Sequence, residues 1–338
     1  MNLKESHYSK YALVREMIET SGVIKHFDHS EINKFGEKIK KKKALFLTGE
    51  GSSRIYPAKR MIYDLLRRGL DIKAFTDGAT QALEYNLADY AVFGASNSGQ
   101  TKEVIRLFEK LKNEGHDQIF GLTANRDTML EKISCDTHVL KCGKEDAVAA
   151  TKSVIEQALF YDALLHYIAG EEMGDLEKLS GQVAQAMTLN IDNKIINTIS
   201  RAEVIYFAGR NNGVAEELTL KTNEITRKKS EFLEGTYGVH GIEEVMNQGE
   251  VLIWINPFAG ETAKFEECLA KEVGVNIIAV ADHKTRFPTI VIPDGGQYRE
   301  YVELAAGWNI LVETGINLGI DLDKPERARK VGNEYTGS

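Results

Sequence analysis

Short apolar runs alternate along this chain with segments in which apolar residues recur every three or four positions. The runs at 44–48, 90–93 and 119–122 have the length and composition of buried strands. The segments between them are typical of helices that bury one face, because this spacing places side chains on one side of a helix. Strands that alternate with helices predict an α/β fold with parallel sheets, right-handed crossovers and helices on both faces of each sheet.

The same pattern divides the chain into successive regions. Residues 6–40 are predicted to be helical, and a long helix is predicted over 147–169. Residues 170–175 are polar and lack periodicity, so we place the boundary between two domains there. After two further predicted helices, the alternation of strands and helices begins again at residue 204. The expected regions are N-terminal helices over 1–43, a first domain over 44–172, a second domain over 173–320 and a C-terminal tail over 321–338.

The two predicted domains share short sequence matches. The matched segments are Phe-Leu-Thr-Gly at 46–49 with Tyr-Phe-Ala-Gly at 206–209, and Ser-Gly-Gln-Thr at 98–101 with Ala-Gly-Glu-Thr at 259–262. A period this long indicates two tandem domains rather than a solenoid. The second copy has lost its hydroxyls, since Pro257 and Ala259 take the places of Ser96 and Ser98. Only the first copy is therefore expected to hold an anion.

Composition restricts the classes of function. The 338 residues include 42 Lys and Arg against 50 Asp and Glu, a net charge of −8, which argues against a nucleic-acid binder. The three cysteines lack metal-ligand spacing and no ligand cluster is present, so we expect reduced thiols and no metal or other cofactor. The N-terminus lacks a signal-peptide core, and no apolar run approaches about 18 residues. We therefore expect a cytoplasmic protein without a membrane segment.

The polar turn at 96–101 carries the strongest local signal in the first domain. It follows a predicted strand and precedes a predicted helix, where backbone N–H groups and the helix dipole favour an anion. The lysine of a nucleoside-triphosphate loop is absent, so a small phosphorylated molecule is the better ligand. Ser53 lies on a neighbouring strand-to-helix turn, which is expected to open at the same edge of the sheet. The alternative is an ordinary polar turn in which Thr101 is an N-cap.

The second domain supplies candidate acid and base groups. Lys221, Glu224 and Lys228 are expected on one face of a predicted helix. The alternative is an exposed ladder of ion pairs with Glu217.

A histidine follows this helix in a glycine-flanked stretch at 230–241, which is predicted to be irregular. His240 lies there together with Glu231 and Glu234. Irregular segments on a rigid scaffold often carry function, and histidine titrates near neutral pH. Surface roles for these side chains remain the alternative.

Several separate motifs resemble those of the tandem sugar isomerase (SIS) domain proteins. The motifs are Gly-Glu-Gly-Ser-Ser at 49–53, Ser-Asn-Ser-Gly-Gln-Thr at 96–101, Val-Ala-Ala-Thr-Lys at 148–152, Leu-Lys-Thr-Asn-Glu-Ile at 220–225, Val-His-Gly at 239–241 and Asp-Leu-Asp-Lys-Pro at 321–325. The chain is most similar in them to the isomerase half of glucosamine-fructose-6-phosphate aminotransferase and to the stand-alone aminosugar-phosphate deaminases and isomerases. The resemblance extends from about residue 44 to residue 331.

The resemblance implies a fold and a set of roles. The fold would be two flavodoxin-like sandwiches, each a parallel sheet flanked by helices. The substrate would be a phosphosugar, bound without metal or cofactor by Ser53, Ser96, Asn97, Ser98, Thr101, Val148, Ala149 and Lys221. Glu224 would be the catalytic acid and base, Lys330 the active-site lysine, and His240 would assist ring opening from the neighbouring subunit of a homodimer.

Three departures from the motifs limit the activities that the resemblance implies. Ile242 replaces a proline, Asn223 replaces a lysine and Ala150 replaces a serine. No glutaminase half is evident, so we expect no glutamine-dependent amino transfer by this chain alone. The expected activity is isomerisation of an aldose 6-phosphate or deamination of a 2-amino-sugar 6-phosphate. The alternatives are deglycation of a fructosamine 6-phosphate and, in another class, a non-catalytic sugar-phosphate-binding regulator.

Overall fold

The computed structural model describes residues 1–39, 42, 44–327 and 334–335. These residues form two five-stranded parallel sheets flanked by helices, which confirms the predicted α/β fold. Two compact units contain one sheet each. The first-sheet unit comprises Gly22–Glu145, Ala150–Leu176 and 334–335, and the second-sheet unit comprises Met1–Ser21, Asp146–Ala149 and 177–327.

Three helices precede the first strand, in agreement with the helical prediction for this region. They are α1 (Ser6–Ser9), α2 (Ala12–Lys25) and α3 (Ile32–Ile39).

The strands of the first-sheet unit are β1 (Ala44–Gly49), β2 (Lys73–Gly78), β3 (Tyr90–Ala95), β4 (Ile119–Thr123) and β5 (Asp136–Val139). Its further helices are α4 (Ile55–Arg68), α5 (Ala79–Ala82), α6 (Lys102–Asn113), α7 (Met129–Ile133) and α8 (Lys152–Ala169). The strand order is β2-β1-β3-β4-β5 and all pairings are parallel. This is the flavodoxin-like order, in which the chain reverses direction across the sheet between β1 and β3.

Both faces of this sheet are covered, which explains why its strands are almost continuously apolar. Successive residues of a strand point to opposite faces, so Leu47 packs with Phe35 of α3 and Met61 of α4 on one face. Phe46 packs with Phe108 of α6 on the other face.

Helix α8 begins five residues later than the sequence pattern predicts, because a buried carboxylate fixes its first turn. The Glu145 carboxylate accepts hydrogen bonds from the backbone N–H groups of Thr151 and Lys152, each at 2.7 Å, and from the Ser153 hydroxyl at 2.5 Å. The residues just before this turn belong to the second-sheet unit, where the Glu16 carboxylate accepts a hydrogen bond from the N–H of Ala147 at 3.3 Å. The prediction of helix over 147–151 is wrong.

The strands of the second-sheet unit are β6 (Val204–Gly209), β7 (Lys229–Glu234), β8 (Val251–Ile255), β9 (Asn276–Ala281) and β10 (Thr289–Val291). Its later helices are α9 (Leu176–Thr188), α10 (Asn193–Arg201), α11 (Val214–Thr226), α12 (Thr262–Phe265), which continues as a π-helix over Glu266–Val273, and α13 (Arg299–Asn317). The strand order β10-β9-β8-β6-β7 repeats the order of the first sheet when the strands are taken in chain order. This repetition confirms the predicted tandem repeat.

Strand β7 corrects the prediction that residues 230–241 are irregular. It is an edge strand that pairs in parallel with β6 alone, and Glu231 and Glu234 are exposed on it. An edge strand tolerates polar residues on a face that a central strand would bury, so the apolar pattern did not reveal it. No helix in the part of the chain that the structure describes is long and apolar enough to cross a membrane.

Candidate functional site

The turns after β1 and β3 open side by side at the point where the strand order of the first sheet reverses. Gly49 ends β1 and pairs with Ala95 at the end of β3. A Cβ atom on Gly49 would lie 2.9 Å from the backbone oxygen of Ala95, so only glycine permits this approach. Ser53 follows in a short 3₁₀ turn, Gly51–Ser53, and is half-buried. The two turns predicted to bind phosphate are therefore neighbours.

The turn at 96–101 is organised by its own hydroxyl groups. The buried Ser96 Oγ lies 2.7 Å from Thr101 Oγ1 and accepts a hydrogen bond from the Thr101 N–H at 3.3 Å. Ser98 Oγ accepts from the Gln100 N–H at 3.1 Å, and Gly99 has a φ of +65°, a left-handed conformation that favours glycine. Thr101 occupies the N-cap position of α6, but its side chain makes no capping hydrogen bond. The alternative of an ordinary threonine N-cap is wrong.

Asn97 is held differently from the serines. Its side-chain nitrogen donates to Glu145 Oε2 at 3.0 Å, and its backbone oxygen accepts from the Ala124 N–H and from the Asn125 side-chain nitrogen. Glu145 thus links the polar turn to the first turn of α8. Glu145 is not among the predicted site residues, although a carboxylate just before a helix is a recognisable signal.

The end of the described chain lies against the same turn. Glu334 forms a bridge with Thr101, and the Tyr335 N–H donates to the backbone oxygen of Gln100 at 2.8 Å. The Tyr335 hydroxyl donates to Glu109 of α6 at 2.9 Å. Lys330 lies outside the described residues, so its place in the site stays a prediction.

A cavity of about 390 Å³ in the second-sheet unit brings together three of the predicted site residues. Val148, Ala149 and Glu224 line it. Its other lining residues are Asn223, Arg227, Leu322, Pro325, Glu326 and Arg327. The volume is within the range of small-molecule sites.

Lys221 is completely buried between two carboxylates of the same helix, one of which, Glu224, lines this cavity. Its Nζ lies 2.8 Å from Glu224 Oε2 and 3.3 Å from Glu217 Oε1. The side chains of Lys221 and Glu217 are 0% exposed, whereas that of Glu224 is 25% exposed. Burial lowers the pKa of Lys221, but the charges of Glu224 and Glu217 outweigh it and raise the pKa above its usual value. Lys221 is therefore a cation, and the alternative of an exposed ladder is wrong.

Lys228 does not belong to this cluster, contrary to the predicted helix face. Helix α11 ends at Thr226, and Arg227 has a φ of +57° that turns the chain away. The Lys228 ammonium instead donates to the backbone oxygen of Ala202 at 2.6 Å, and burial lowers its pKa.

His240 is exposed and is not among the residues that line the cavity. It follows the 3₁₀ turn Tyr237–Val239 in the loop after β7. The structure of one chain therefore does not bring His240 to the Glu224 cavity, and its predicted role stays a prediction.

Two sets of hydrogen bonds hold the segment 321–327 at the cavity. The Asp323 carboxylate accepts hydrogen bonds from the N–H groups of Ala12 and Leu13, at 2.7 and 2.9 Å, and so caps α2. One terminal nitrogen of Arg227, Nη2, donates to the backbone oxygens of Asp321 and Lys324, at 2.9 and 2.6 Å. The Asp-Leu-Asp motif at 321–323 thus has a structural role that sequence reasoning did not predict.

The topology defines two tandem α/β units, each with a parallel sheet in the flavodoxin-like order. No protein-family model matches the chain, and no curated protein matches it. Solved structures show the fold.

The C-terminal domain of glucosamine-fructose-6-phosphate aminotransferase from Francisella tularensis has a TM-score of 0.78 and 18% identity, with 94% of this chain and 98% of that chain covered. Tagatose-6-phosphate ketose/aldose isomerase from Escherichia coli has a TM-score of 0.76 and 15% identity, with coverage of 96% and 99%. Glucosamine-6-phosphate deaminase from Thermotoga maritima has a TM-score of 0.69 and 21% identity, with coverage of 94% and 98%. The chain therefore has the fold of phosphosugar isomerases over nearly its whole length.

Proposed function

We propose that this chain is an enzyme that moves a proton between C1 and C2 of a sugar 6-phosphate, with Glu224 as the acid and base. The observation that carries the proposal is the position of the Glu224 carboxylate. It lines a small cavity, is one-quarter exposed and is fixed by a wholly buried ammonium group. A proton-transfer group needs this combination of access and fixed orientation.

The phosphate group is assigned to the first-sheet unit. The hydroxyls of Ser53, Ser96, Ser98 and Thr101 and the uncapped first turn of α6 supply hydrogen-bond donors where the strand order reverses. Asn97 holds the turn in place through Glu145. The equivalent turn of the second-sheet unit has Pro257 and Ala259 in place of two of the hydroxyls, so a single phosphate per chain is expected.

The proposed reaction on a 2-amino aldose 6-phosphate begins from the open chain. Glu224 takes the proton from C2, and a proton is delivered to C1. The C1 aldehyde becomes an alcohol, while the C2 amine becomes an imine, so the oxidation levels of the two carbons balance. Water then adds to C2, the C2–N bond breaks, and ammonia and a ketose 6-phosphate leave. On an aldose 6-phosphate the same transfer gives the ketose directly. General acid–base catalysis of this kind contributes about 10²- to 10⁴-fold.

Two further residues are assigned to ring opening. Lys330 is proposed to act from the C-terminal tail. His240 is proposed to act on the substrate of a second copy of the chain, because it is exposed and does not line the cavity that Glu224 lines. The proposed assembly is a homodimer with shared active sites.

The names of the structural neighbours support an enzyme of this class. They include an isomerase, a deaminase and the C-terminal domain of an aminotransferase, all named for sugar 6-phosphates. A regulator that only binds a sugar phosphate would not need the buried ion pairs that Lys221 forms with Glu217 and Glu224. Buried charges are costly and cluster at sites of chemistry.

The test replaces Glu224 by Gln, which keeps the shape and removes the base. Purified protein is assayed with glucosamine, galactosamine and fructosyl-amine 6-phosphates for released ammonia and ketose. We expect a loss of at least about 10²-fold in kcat for Glu224→Gln. The matched control is Glu267→Gln, which removes an exposed carboxylate paired with Lys271 and is expected to retain full activity. Full turnover by Glu224→Gln on every substrate would refute the assignment.

A further inference from the structure

A second cavity of the second-sheet unit lies at the edge of its sheet, apart from the cavity beside Glu224. The two cavities share no lining residue in the described part of the chain. The volume of the edge cavity is about 720 Å³, which is within the range of small-molecule sites. Ile277 of β9, Lys194 of α10 and Ala270 of the π-helix contribute to its walls. π-Helices are rare and occur frequently at functional sites.

Strand β9 has an unpaired position in this cavity, because β10 is short and begins after a proline. The Ala279 N–H donates to the backbone oxygen of Pro288 at 2.8 Å, and Ala279 pairs with Thr289 of β10. Ile277 precedes Ala279 by two residues, so its N–H and C=O point to the same side of the strand. Pro288 has no N–H to donate to it. Among the described residues, neither backbone group of Ile277 has a hydrogen-bond partner.

The unpaired position is suited to a small molecule rather than to a further strand. Ile277 is only 4% exposed, and a buried polar group without a partner costs about 1–3 kcal/mol. The gap is one residue long, because the Val275 N–H donates to the backbone oxygen of Leu269 at 2.9 Å and the Ala279 N–H is paired with β10. Strands are usually at least about three residues long. A molecule with a hydrogen-bond acceptor beside a donor satisfies both groups of Ile277 at once.

The walls of the edge cavity indicate a flat ring that carries a negative charge. Phe287 lines the cavity, and aromatic side chains stack on the rings of bound nucleobases. Lys194 lines it as well and has no ion-pair partner among the described residues, whereas Arg286 is paired with Glu266 at 2.8 Å. Among the bases, adenine matches the unpaired position most directly, because its amino donor lies between two ring nitrogens that accept hydrogen bonds.

We propose that the edge cavity is a binding site for an adenine nucleotide, in the simplest case adenosine 5′-monophosphate. The amino group of the base donates to the C=O of Ile277, and a ring nitrogen accepts from the Ile277 N–H. Phe287 contacts the ring, and Lys194 binds the phosphate. This site goes beyond the proposed function and does not depend on it, because neither Glu224 nor any residue of the turn at 96–101 lines the cavity.

The first test compares two nucleotides in the wild-type protein by titration calorimetry. We expect adenosine 5′-monophosphate to bind with a Kd below about 1 mM. The analogue with a dimethylated amino group is expected to bind at least about tenfold more weakly, because methylation removes the donor to Ile277. Ribose 5-phosphate, which lacks the base, is expected to bind at least about tenfold more weakly as well.

The second test places the nucleotide in the cavity. Ala270→Leu puts a larger side chain into the cavity and is expected to abolish binding. Ala263→Leu is the matched control, because Ala263 is exposed on α12 and does not line the cavity; it is expected to keep the wild-type affinity. Lys194→Gln is expected to weaken binding of the nucleotide by about tenfold or more and to leave that of adenosine unchanged. Lys264→Gln, at an exposed position of α12, is expected to change neither.

None of the outcomes depends on turnover, so they are separate from those that test Glu224. Absence of binding of adenosine 5′-monophosphate to the wild type overturns the proposed site. Equal affinity for the dimethylated analogue or for ribose 5-phosphate also overturns it, without reference to any variant. Unchanged affinity in Ala270→Leu assigns the nucleotide to another part of the protein and overturns it as well. Loss of binding in Ala270→Leu, with thermal unfolding like that of Ala263→Leu, supports it.

Discussion

Lys221 shows how a single buried residue determines the chemistry of its neighbours. A lysine without exposed surface is tolerated because Glu217 and Glu224 lie within 3.3 and 2.8 Å of its ammonium group. Of the two carboxylates, only Glu224 reaches the cavity. Glu217 is completely buried and supplies a second negative charge next to the Lys221 ammonium. Glu224 therefore stays open to the cavity while its position is fixed.

Glu303 is a second buried carboxyl group, and it gives the stability of the protein a predictable pH dependence. Burial raises the pKa of Glu303 from 4.5 to about 8, the charge of Glu300 adds to the effect, and Arg299 and Arg210 oppose it. The folded state therefore keeps a proton that the unfolded chain releases above about pH 4.5. The contribution of Glu303 to the free energy of unfolding is fully present below about pH 4.5. It falls by a few kcal/mol as the pH rises to about 8.

The prediction for Glu303 is tested by replacing the carboxyl with a group that cannot ionise. Glu303→Gln is expected to flatten the decline in the free energy of unfolding between pH 5 and pH 8, and to be more stable than the wild type at pH 8. Urea unfolding at intervals of one pH unit measures both effects. Glu267→Gln, at an exposed position, is the control and is expected to follow the wild-type profile. An unchanged slope in Glu303→Gln would show that another group holds the proton.

At the scale of elements, the repeat provides matched positions with different chemistry. Thr101 and Thr262 follow the third strand of their respective sheets. The Thr101 hydroxyl lies 2.7 Å from Ser96 Oγ within the polar turn, whereas the Thr262 hydroxyl donates to the backbone oxygen of Ala259 at 3.1 Å. Equivalent hydroxyls thus contact another side-chain hydroxyl in one sheet and the backbone in the other.

We expect Thr101→Val to weaken binding of fructose 6-phosphate by about tenfold or more, because a hydrogen bond to a charged group contributes about 1.5–3 kcal/mol. Thr262→Val is the matched variant and is expected to leave the affinity unchanged. Titration calorimetry measures both dissociation constants, and thermal unfolding without ligand shows whether either variant has altered the fold. Equal losses in the two variants would contradict the assignment of phosphate to one sheet.

The elements that the sequence predicted well are those whose signals are local. A strand buried on both faces is an apolar run, and the turn after it carries its own polar residues, so the two sheets and the polar turn at 96–101 could be predicted. The start of α8 could not, because the carboxylate that fixes it is Glu145, outside the helical pattern. Strand β7 was missed because an edge position permits polar residues on both faces.

The candidate site was predictable to the extent that its residues lie in short motifs. Val148, Ala149 and Glu224, which the resemblance assigns to a substrate site, line one cavity. The contacts that position the tail join residues far apart in sequence, such as Asp323 with Ala12. Such pairings leave no local pattern, so neither the capping role of Asp323 nor the bridging role of Arg227 was apparent from the sequence.

At the scale of the whole molecule, the proposed homodimer makes a prediction about His240. One chain provides a cavity with Glu224 and an exposed His240 that does not line it. Under the proposed dimer, each active site combines Glu224 of one copy with His240 of the other. The two residues can then be inactivated separately and recombined.

Mixing two inactive variants, Glu224→Gln and His240→Asn, distinguishes a shared site from a site within one chain. With random exchange of subunits in a dimer of twofold symmetry, half of the dimers contain one copy of each variant. If the sites are shared, one of the two sites in such a dimer has both residues intact, so the mixture is expected to recover about a quarter of wild-type activity. If both residues act within one chain, every site lacks one of them and no activity returns. Each variant alone, carried through the same exchange, is the control, and light scattering establishes that dimers form. Recovery near a quarter would place His240 in the partner's site, whereas no recovery in a verified dimer would require a movement that brings His240 to Glu224 of its own chain.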